Sequence, residues 1–398
     1  MLDLHPSTGL DSGNMRDQIF QSETQLNFRA RAGANSNEWL SRLKLASFVA
    51  CLAFLNLMSP TSAQAALDRL GDFSLSNFFL EPSATYGERR AGGFGFGNSH
   101  IEVNWTQQNY LSAVMKLGSS DLIGQPARYG NPAPAQIQFI EAYGQLSSDW
   151  GQLRSGLIPL SFGLEGGDTE MNLRFPRSLL FSRRIIGLRD EGISYRITTD
   201  GFVSEWAVSN GESGADKDDR LWFTARTGWT YGRFLRMGFS FQTGNTTAKS
   251  TDPEGKLTPP ASGFDPTRPS HVRIADAFFR YGDKAFGMEV EAAAGDATQL
   301  FTLSTTTQRL RFLRVDTDWQ FWRGLTALAR YDVLDPDASA RGDLVQETVA
   351  GLAWRDAYET SVLTMLFSKV VDQAAQTSHQ VQLIWRLTPV AMGRLSPL

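Results

Sequence analysis

Phe234 to Gln242 reads FLRMGFSFQ, and its residues sort into two sets. Leu235, Met237, Phe239 and Phe241 are apolar; Arg236, Gly238, Ser240 and Gln242 are not. A period of two puts such sets on opposite faces of a strand. FGMEVEA (Phe286 to Ala292) repeats the pattern, with Phe286, Met288 and Val290 against Gly287, Glu289 and Glu291. LTALARYDV (Leu325 to Val333) sets Leu325, Ala327, Ala329, Tyr331 and Val333 against Thr326, Leu328, Arg330 and Asp332. GISYRIT (Gly192 to Thr198) and QVQLIWRL (Gln380 to Leu387) behave alike. No helical stretch is long enough to cover the apolar face of such a sheet.

The connections between these runs alternate in length. Short ones (WTQQNY, SSDWGQ, TTDG, WTYGRF, YGDKAF, FWRG, WRDAYE) interleave with long ones rich in Gly, Pro, Asp, Ser or Thr. The longest run from Ser119 to Gln136, from Ser161 to Asp190 and from Thr243 to Ser270. Tight turns on one side, long loops on the other and strands of about ten residues characterise outer-membrane barrels. The expected fold is therefore all-β, a transmembrane antiparallel β-barrel of about sixteen strands, the first near Phe73 to Leu80. Slips in the alternation near Asp276 and Leu313 read as bulges. Tyr110, Tyr143, Tyr195, Trp206, Trp229, Tyr231, Tyr281, Trp319, Trp322, Trp354 and Tyr358 lie near strand ends, as an interfacial aromatic girdle requires. On the ninth strand Leu235, Met237 and Phe239 are expected to face lipid, and Arg236 and Ser240 the lumen. A soluble β-sandwich is the alternative, but nothing in the chain buries its second apolar face.

The chain has 398 residues, 38 of them Lys or Arg and 42 Asp or Glu, with no long charged tail that would point to nucleic acid. Only seven residues are lysine, so arginine carries nearly all the positive charge. Arginine holds planar anions bidentately and tolerates partial desolvation better than lysine. Near the N-terminus, Arg42 and Lys44 precede the apolar run Leu45 to Met58, and Ala63-Gln64-Ala65 follows. That is the anatomy of a secretory signal, and the run is shorter than the ~20 residues a spanning helix needs. The expected organisation is a leader over residues 1–65, cleaved near Ala65, and a barrel over 66–398 in the bacterial outer membrane. Cys51, the only cysteine, lies in the leader, so the mature chain has no disulfide framework.

One long connection stands apart. RFPRSLLFSRRIIGLRD (Arg174 to Asp190) holds Arg174, Arg177, Arg183, Arg184 and Arg189 before its first carboxylate. Taken alone it reads as a solvated basic loop. Within a barrel it is the third external loop, Ser161 to Asp190, between the fifth and sixth strands. EAYGQLSSDWGQLRSGLIPLSFGLE (Glu141 to Glu165), FPRSLLFSRRIIGLRDEGISY (Phe175 to Tyr195) and ARYDVLDPD (Ala329 to Asp337) give the chain a resemblance to the phosphate-selective porin O and P family. The resemblance implies a trimeric sixteen-stranded porin whose third loop folds inward, bringing Arg174, Arg177, Arg183, Arg184 and Arg189 to an anion-binding constriction. The alternation itself puts Arg154, Arg196, Arg226, Arg236, Arg330 and Arg386 on the polar face, as a pore wall. Arginine rings in a narrow, low-dielectric passage favour anions. Lysine is scarcer here than in that family, and Glu205, Glu289, Glu291 and Asp332 share the polar face. PVAMGRLSPL follows the last strand, with Leu387 in the place of the usual terminal aromatic.

The expected partners are outer-membrane lipid, small anionic solutes and further copies of the chain in a homotrimer. No cofactor is expected. His100, His271 and His379 are too scattered for a metal pair, and neither G-x-S-x-G nor a Walker loop occurs. AGGFGFGN (Ala91 to Asn98) lacks the spacing and helix of a nucleotide loop and reads as flexible. The chain is not expected to be an enzyme. A barrel hydrolase using His100 or His271 at the rim is the weakest alternative, and a structural or adhesive barrel is the stronger one. N-terminal sequencing of membrane-extracted protein should begin at Ala66. A retained leader or a soluble periplasmic product would contradict this reading.

Overall fold

Asp200 and Gly201 both take positive φ, 45° and 83°, between two antiparallel strands. That is a type I′ turn, whose twist matches the strands it joins and which Asp-Gly adopts readily. It typifies the architecture: strands joined by tight turns at one end. The computed structural model describes residues 72–388 apart from 88–92, 97, 108–109, 119–137, 168–172, 183–184, 212–219, 233, 247–269, 284, 299–306, 358–359 and 374–376. The expected leader, Cys51, Arg183, Arg184, Tyr358 and residues 389–398 lie outside the described residues.

The first strands are β1 (Asp72–Phe79), β2 (Pro82–Gly87), β3 (Gly93–Phe96), β4 (His100–Gln107), β5 (Leu111–Gly118), β6 (Gln138–Ser148) and β7 (Gly151–Pro159). Then come β8 (Arg189–Thr199), β9 (Phe202–Ser209), β10 (Trp222–Tyr231), β11 (Leu235–Thr246), β12 (Ser270–Gly282) and β13 (Phe286–Thr298). The last are β14 (Thr307–Trp322), β15 (Leu325–Asp335), β16 (Val345–Arg355), β17 (Ser361–Asp372) and β18 (Ser378–Leu387). All belong to one antiparallel sheet. From β4 to β18 each pairs with the next. β1 with β2, and β3 with β4, continue one another: Asp72 opposes Thr106 and Thr85 opposes Gly93 in the same hairpin. Counting each pair as one strand leaves sixteen of the eighteen segments. The ladder also returns to its beginning, since Gln380 of β18 opposes Gly87 of β2 and Leu387 bridges Leu80. Gly93–Phe96, expected as part of a flexible loop, is thus a strand paired with β2.

The two faces differ as the alternation demands. Met237, Phe239, Phe279, Tyr331, Met365, Phe367 and Leu383 are exposed on the outer face, with Phe239 61% accessible. Trp229, Tyr231, Tyr281, Trp319, Trp322 and Trp354 are exposed on that face near the tight turns. Tyr143 corrects the girdle: it opposes Gly156 on the inner face, where Arg154 lies 5.6 Å from its ring centroid. The inner face is the one on which the described residues 160–167, 173–182 and 185–188 lie.

The expected bulges at Asp276 and Leu313 are absent. β12 pairs with β13 from Val272 to Gly282 without a shift, and β13 with β14 likewise. Register shifts fall instead after Leu75, Lys116 and Gln320. The alternation fails for another reason. Val272, Ile274, Leu310 and Phe312 are inner-face residues that the connecting segment covers, while Arg273, Arg309 and Arg311 are exposed on the outer face, so the apolar phase is inverted there.

Val114 and Met115 test the two-face assignment. Val114 opposes Tyr143 on the inner face, and Met115 is exposed on the outer one. Met115→Arg should prevent membrane assembly, at about 2–4 kcal/mol if it meets lipid near the midplane. Val114→Arg should assemble normally. Equal yields of heat-modifiable protein in the membrane fraction would contradict the assignment.

Candidate functional site: the segment held on the inner face

The described residues between β7 and β8, 160–167, 173–182 and 185–188, have most of their apolar side chains buried. The segment's described residues include a 3₁₀ turn, Glu165–Gly167, and a short helix, α1 (Leu179–Ser182). Phe162, Leu179, Leu180, Phe181, Ile185 and Ile186 pack on Trp222, Ile274, Phe312 and Leu334 of the sheet. Phe175 packs on Leu328, Val349, Leu366 and Ile384. Each large apolar side chain so covered contributes about 1.5–3 kcal/mol. This is why the inner face carries isoleucine and phenylalanine where a water-filled wall would be polar.

Glu165 is the polar centre of the attachment, with 1% of its surface accessible. Its Oε1 accepts from Arg314 Nη1 at 2.9 Å and Arg330 Nη2 at 3.1 Å. Its Oε2 accepts from the Ser178 backbone N–H at 3.0 Å and hydroxyl at 2.9 Å. Its backbone carbonyl accepts from Arg177 at 2.5 Å. The two wall arginines are held in turn by wall carboxylates. Arg314 donates to Glu289 at 2.5 Å, Glu291 at 3.0 Å and Asp316 at 2.9 Å. Arg330 donates to Asp316 at 2.8 Å and to the Pro176 carbonyl, and its guanidinium lies 4.6 Å from the Phe175 ring centroid. A cavity of about 10 Å³ beside this network is lined by Leu164, Glu165, Phe175, Arg314, Asp316 and Arg330 among others. That is room for about one water.

Further bonds fix the backbone of the segment. Gly163 N–H donates to Ser240 Oγ at 2.8 Å, and Leu164 N–H to Glu291 at 3.2 Å. Leu179 N–H donates to Asp332 at 3.2 Å, and Arg386 donates to the Leu173 carbonyl and to Glu81. An irregular backbone lying on a sheet must find such partners, because its N–H and C=O groups have no ladder of their own.

The arginines expected at the site fall into distinct settings. Arg177 is buried against Glu165, and its guanidinium lies 5.8 Å from the Phe181 ring centroid. Arg330 is enclosed in the network around Glu165. Arg174 contacts Asp318. Arg189 belongs to β8 and pairs with Glu141 at 3.0 Å, which also takes Lys116 at 3.3 Å. Arg183 and Arg184 lie outside the described residues. Away from the packed segment, Arg154 bonds Gln145 at 2.9 Å and approaches Glu205 at 3.6 Å. Arg226 lies 4.8 Å from the centroid of Phe278. Arg196 and Arg226 flank Glu205 in one cross-strand row, both half-buried. Arg236 is half-buried nearer the tight turns.

Glu165, Arg314 and Asp316, which carry the attachment, and Lys116 and Glu141, which hold Arg189 within the sheet, were not singled out by the sequence reading. A signal for part of it exists. RVD (Arg314–Asp316) and RYD (Arg330–Asp332) place opposite charges two apart, on one face of a strand, as partners in an ion-pair row are placed. Among the described residues no group of three or more His, Cys, Asp or Glu could hold a metal, and no helix is long and apolar enough to cross a membrane.

No family model and no curated protein matches the chain. Solved structures do resemble it. OmpT of Vibrio cholerae, an outer-membrane protein in its trimer form, has a TM-score of 0.57 at 11% identity, covering 80% of this chain and 98% of that one. The anion-selective porin from Comamonas acidovorans has 0.57 at 12% identity, covering 80% of this chain and 100% of the other. The outer-membrane channel DcaP of Acinetobacter baumannii has 0.55 at 10% identity, covering 83% and 100%. The described sheet therefore has the fold of outer-membrane porins and channels, without assignment to the porin O and P family.

Proposed function

We propose that the chain is a passive diffusion channel of the bacterial outer membrane, preferring small anions. The observation that carries this is the pairing of an outer face that bears a broad exposed apolar band with an inner face on which one long connection is fixed. The first suits lipid, and the second suits a passage narrowed by its third loop. The return of β18 onto β2 supports closure of the sixteen strands into a barrel, the arrangement that leaves no edge. Likeness to an anion-selective porin, to a channel and to a trimeric outer-membrane protein supports the same reading, including a homotrimer. Residues 1–65 would be the cleaved leader.

Anion preference is proposed for the arginines that line the inner face beyond the packed segment: Arg154, Arg196, Arg226 and Arg236. Arg177, Arg189 and Arg330 would act through position, since their charge meets carboxylates or the loop backbone. The porin O and P resemblance adds Arg183 and Arg184 to the constriction and phosphate-like anions to the solutes. No cofactor is needed for such flux, and no reaction is proposed.

Reversal potential in a salt gradient tests selectivity. The wild-type channel should reverse on the anion side, and Arg196→Gln with Arg226→Gln should shift it toward cations, because two charges leave a low-dielectric passage. Cation preference in the wild type, or no shift in the double variant, would contradict the assignment. A chain that assembles but carries no current would support the structural or adhesive alternative.

A further inference from the structure

The outer face changes character at the end of the sheet from which the long connections leave. On β5, β6, β9 and β10 the exposed residues near that end are apolar: Leu117, Phe139, Val208 and Phe223. On β12, β14 and β17 they include the cations Arg273, Arg309, Arg311 and Lys369. Arg273 opposes Asp296 of β13, which opposes Arg309 in turn, and Arg311 opposes Asp335 of β15. Opposite charges across strands hold one another in place. They do not cancel here: among the described residues the outer face of β12 to β17 carries these four cations against two carboxylates.

Their height places them at the edge of the lipid-facing band rather than above it. Arg309 lies ten positions before Trp319 on the same face of β14. Ten residues rise about 34 Å along a strand, or about 26 Å at a tilt of about 40°. An outer-membrane barrel has an apolar band about 25 Å tall between its girdles. With Trp319 among the aromatics near the tight turns, Arg309 therefore stands where the opposite headgroup layer begins. Leu313, next to Arg311 on this face, is exposed and apolar, as is Ala275 next to Arg273. A cation bordering such a surface meets headgroups, whereas one far out on a loop meets only water.

We infer that Arg273, Arg309 and Arg311, with Lys369 farther along the rim, form a binding site for the phosphorylated headgroup of a lipid in the leaflet on the long-loop side. Arg309 and Arg311 are about 7 Å apart along β14, and Arg273 is two strand spacings, about 10 Å, from Arg309. One headgroup with two phosphates can therefore meet several guanidiniums at once, each fork matching phosphate oxygens. Lys369 reaches toward the same layer from β17 by extending its stem along the apolar surface. The site rests on the proposed outer-membrane location and not on the selectivity of the passage.

Retention of lipid A by the detergent-purified, heat-modifiable protein, measured by native mass spectrometry, tests this. The bisphosphorylated form should bind the wild type, and the dephosphorylated form with the same acyl chains should bind about tenfold more weakly or worse. Arg309→Gln with Arg311→Gln should need about thirtyfold more of the bisphosphorylated form for the same occupancy, about fivefold for each cation removed. Arg309→Gln alone should need about fivefold more and carries the test if the double variant does not assemble. Equal retention of the two lipids by the wild type, or variants that bind as the wild type does, would overturn the site while leaving the barrel in the outer membrane. Displacement of the lipid by millimolar inorganic phosphate would make the ligand a free anion and overturn the lipid assignment. A wild type that does not fractionate with the outer membrane would instead overturn the location on which the site rests.

Discussion

Glu165 is a carboxylate removed from water on an irregular segment, and it sits between Arg314 and Arg330 of the sheet. The two sides depend on the contact unequally. Arg314 and Arg330 also have Glu289, Glu291 and Asp316 of the sheet, whereas a buried carboxylate without donors would cost several kcal/mol. Together they are matched, and Ser178 supplies the remaining donors to the carboxylate. Removing one member of such a network typically costs about 3–5 kcal/mol, because the others stay buried without it. The apolar contacts of Phe162, Phe175 and Phe181 give the segment its adhesion. They are not directional, and the ion network sets where on the inner face the segment lies.

That placement divides the arginines into two kinds. Those near Glu165 are paired with carboxylates or loop carbonyls and serve as structure. Those on β7, β8, β10, β11 and β12 beyond the packed segment line the remaining inner face. A high arginine content therefore has two separate physical causes in one chain. Guanidinium suits both, since it is planar, stays charged when buried and can donate to several acceptors at once.

Strands, faces, turn positions and the number of strands were legible because a one-sided apolar sheet writes a period of two into its sequence. Leu235, Met237 and Phe239 lie on the outer face as their alternation requires. The reading failed where that premise failed. Ile274 and Phe312 face inward yet are apolar, because a loop covers them, and their runs look like slipped strands. Tyr143 looks like a girdle residue for a related reason: near a strand end, sequence alone does not say which face a tyrosine takes. The site was less legible still. The cluster Arg174 to Arg189 showed where charge is dense, but not that Arg177 would meet Glu165 twelve residues away. Arg314 and Glu165 are 149 residues apart, and no local pattern encodes their meeting.

The Glu165 network holds the segment in place and, in the proposed channel, would thereby set the width of the passage. Single-channel conductance of Glu165→Gln measures this most directly, in protein shown by heat modifiability to have assembled. The variant keeps the side-chain shape and loses the charge that Arg314 and Arg330 share. Its conductance should be larger than the wild type's, or should fluctuate between levels, as the segment leaves the inner face. A variant with the wild-type conductance and equally steady current would contradict the claim.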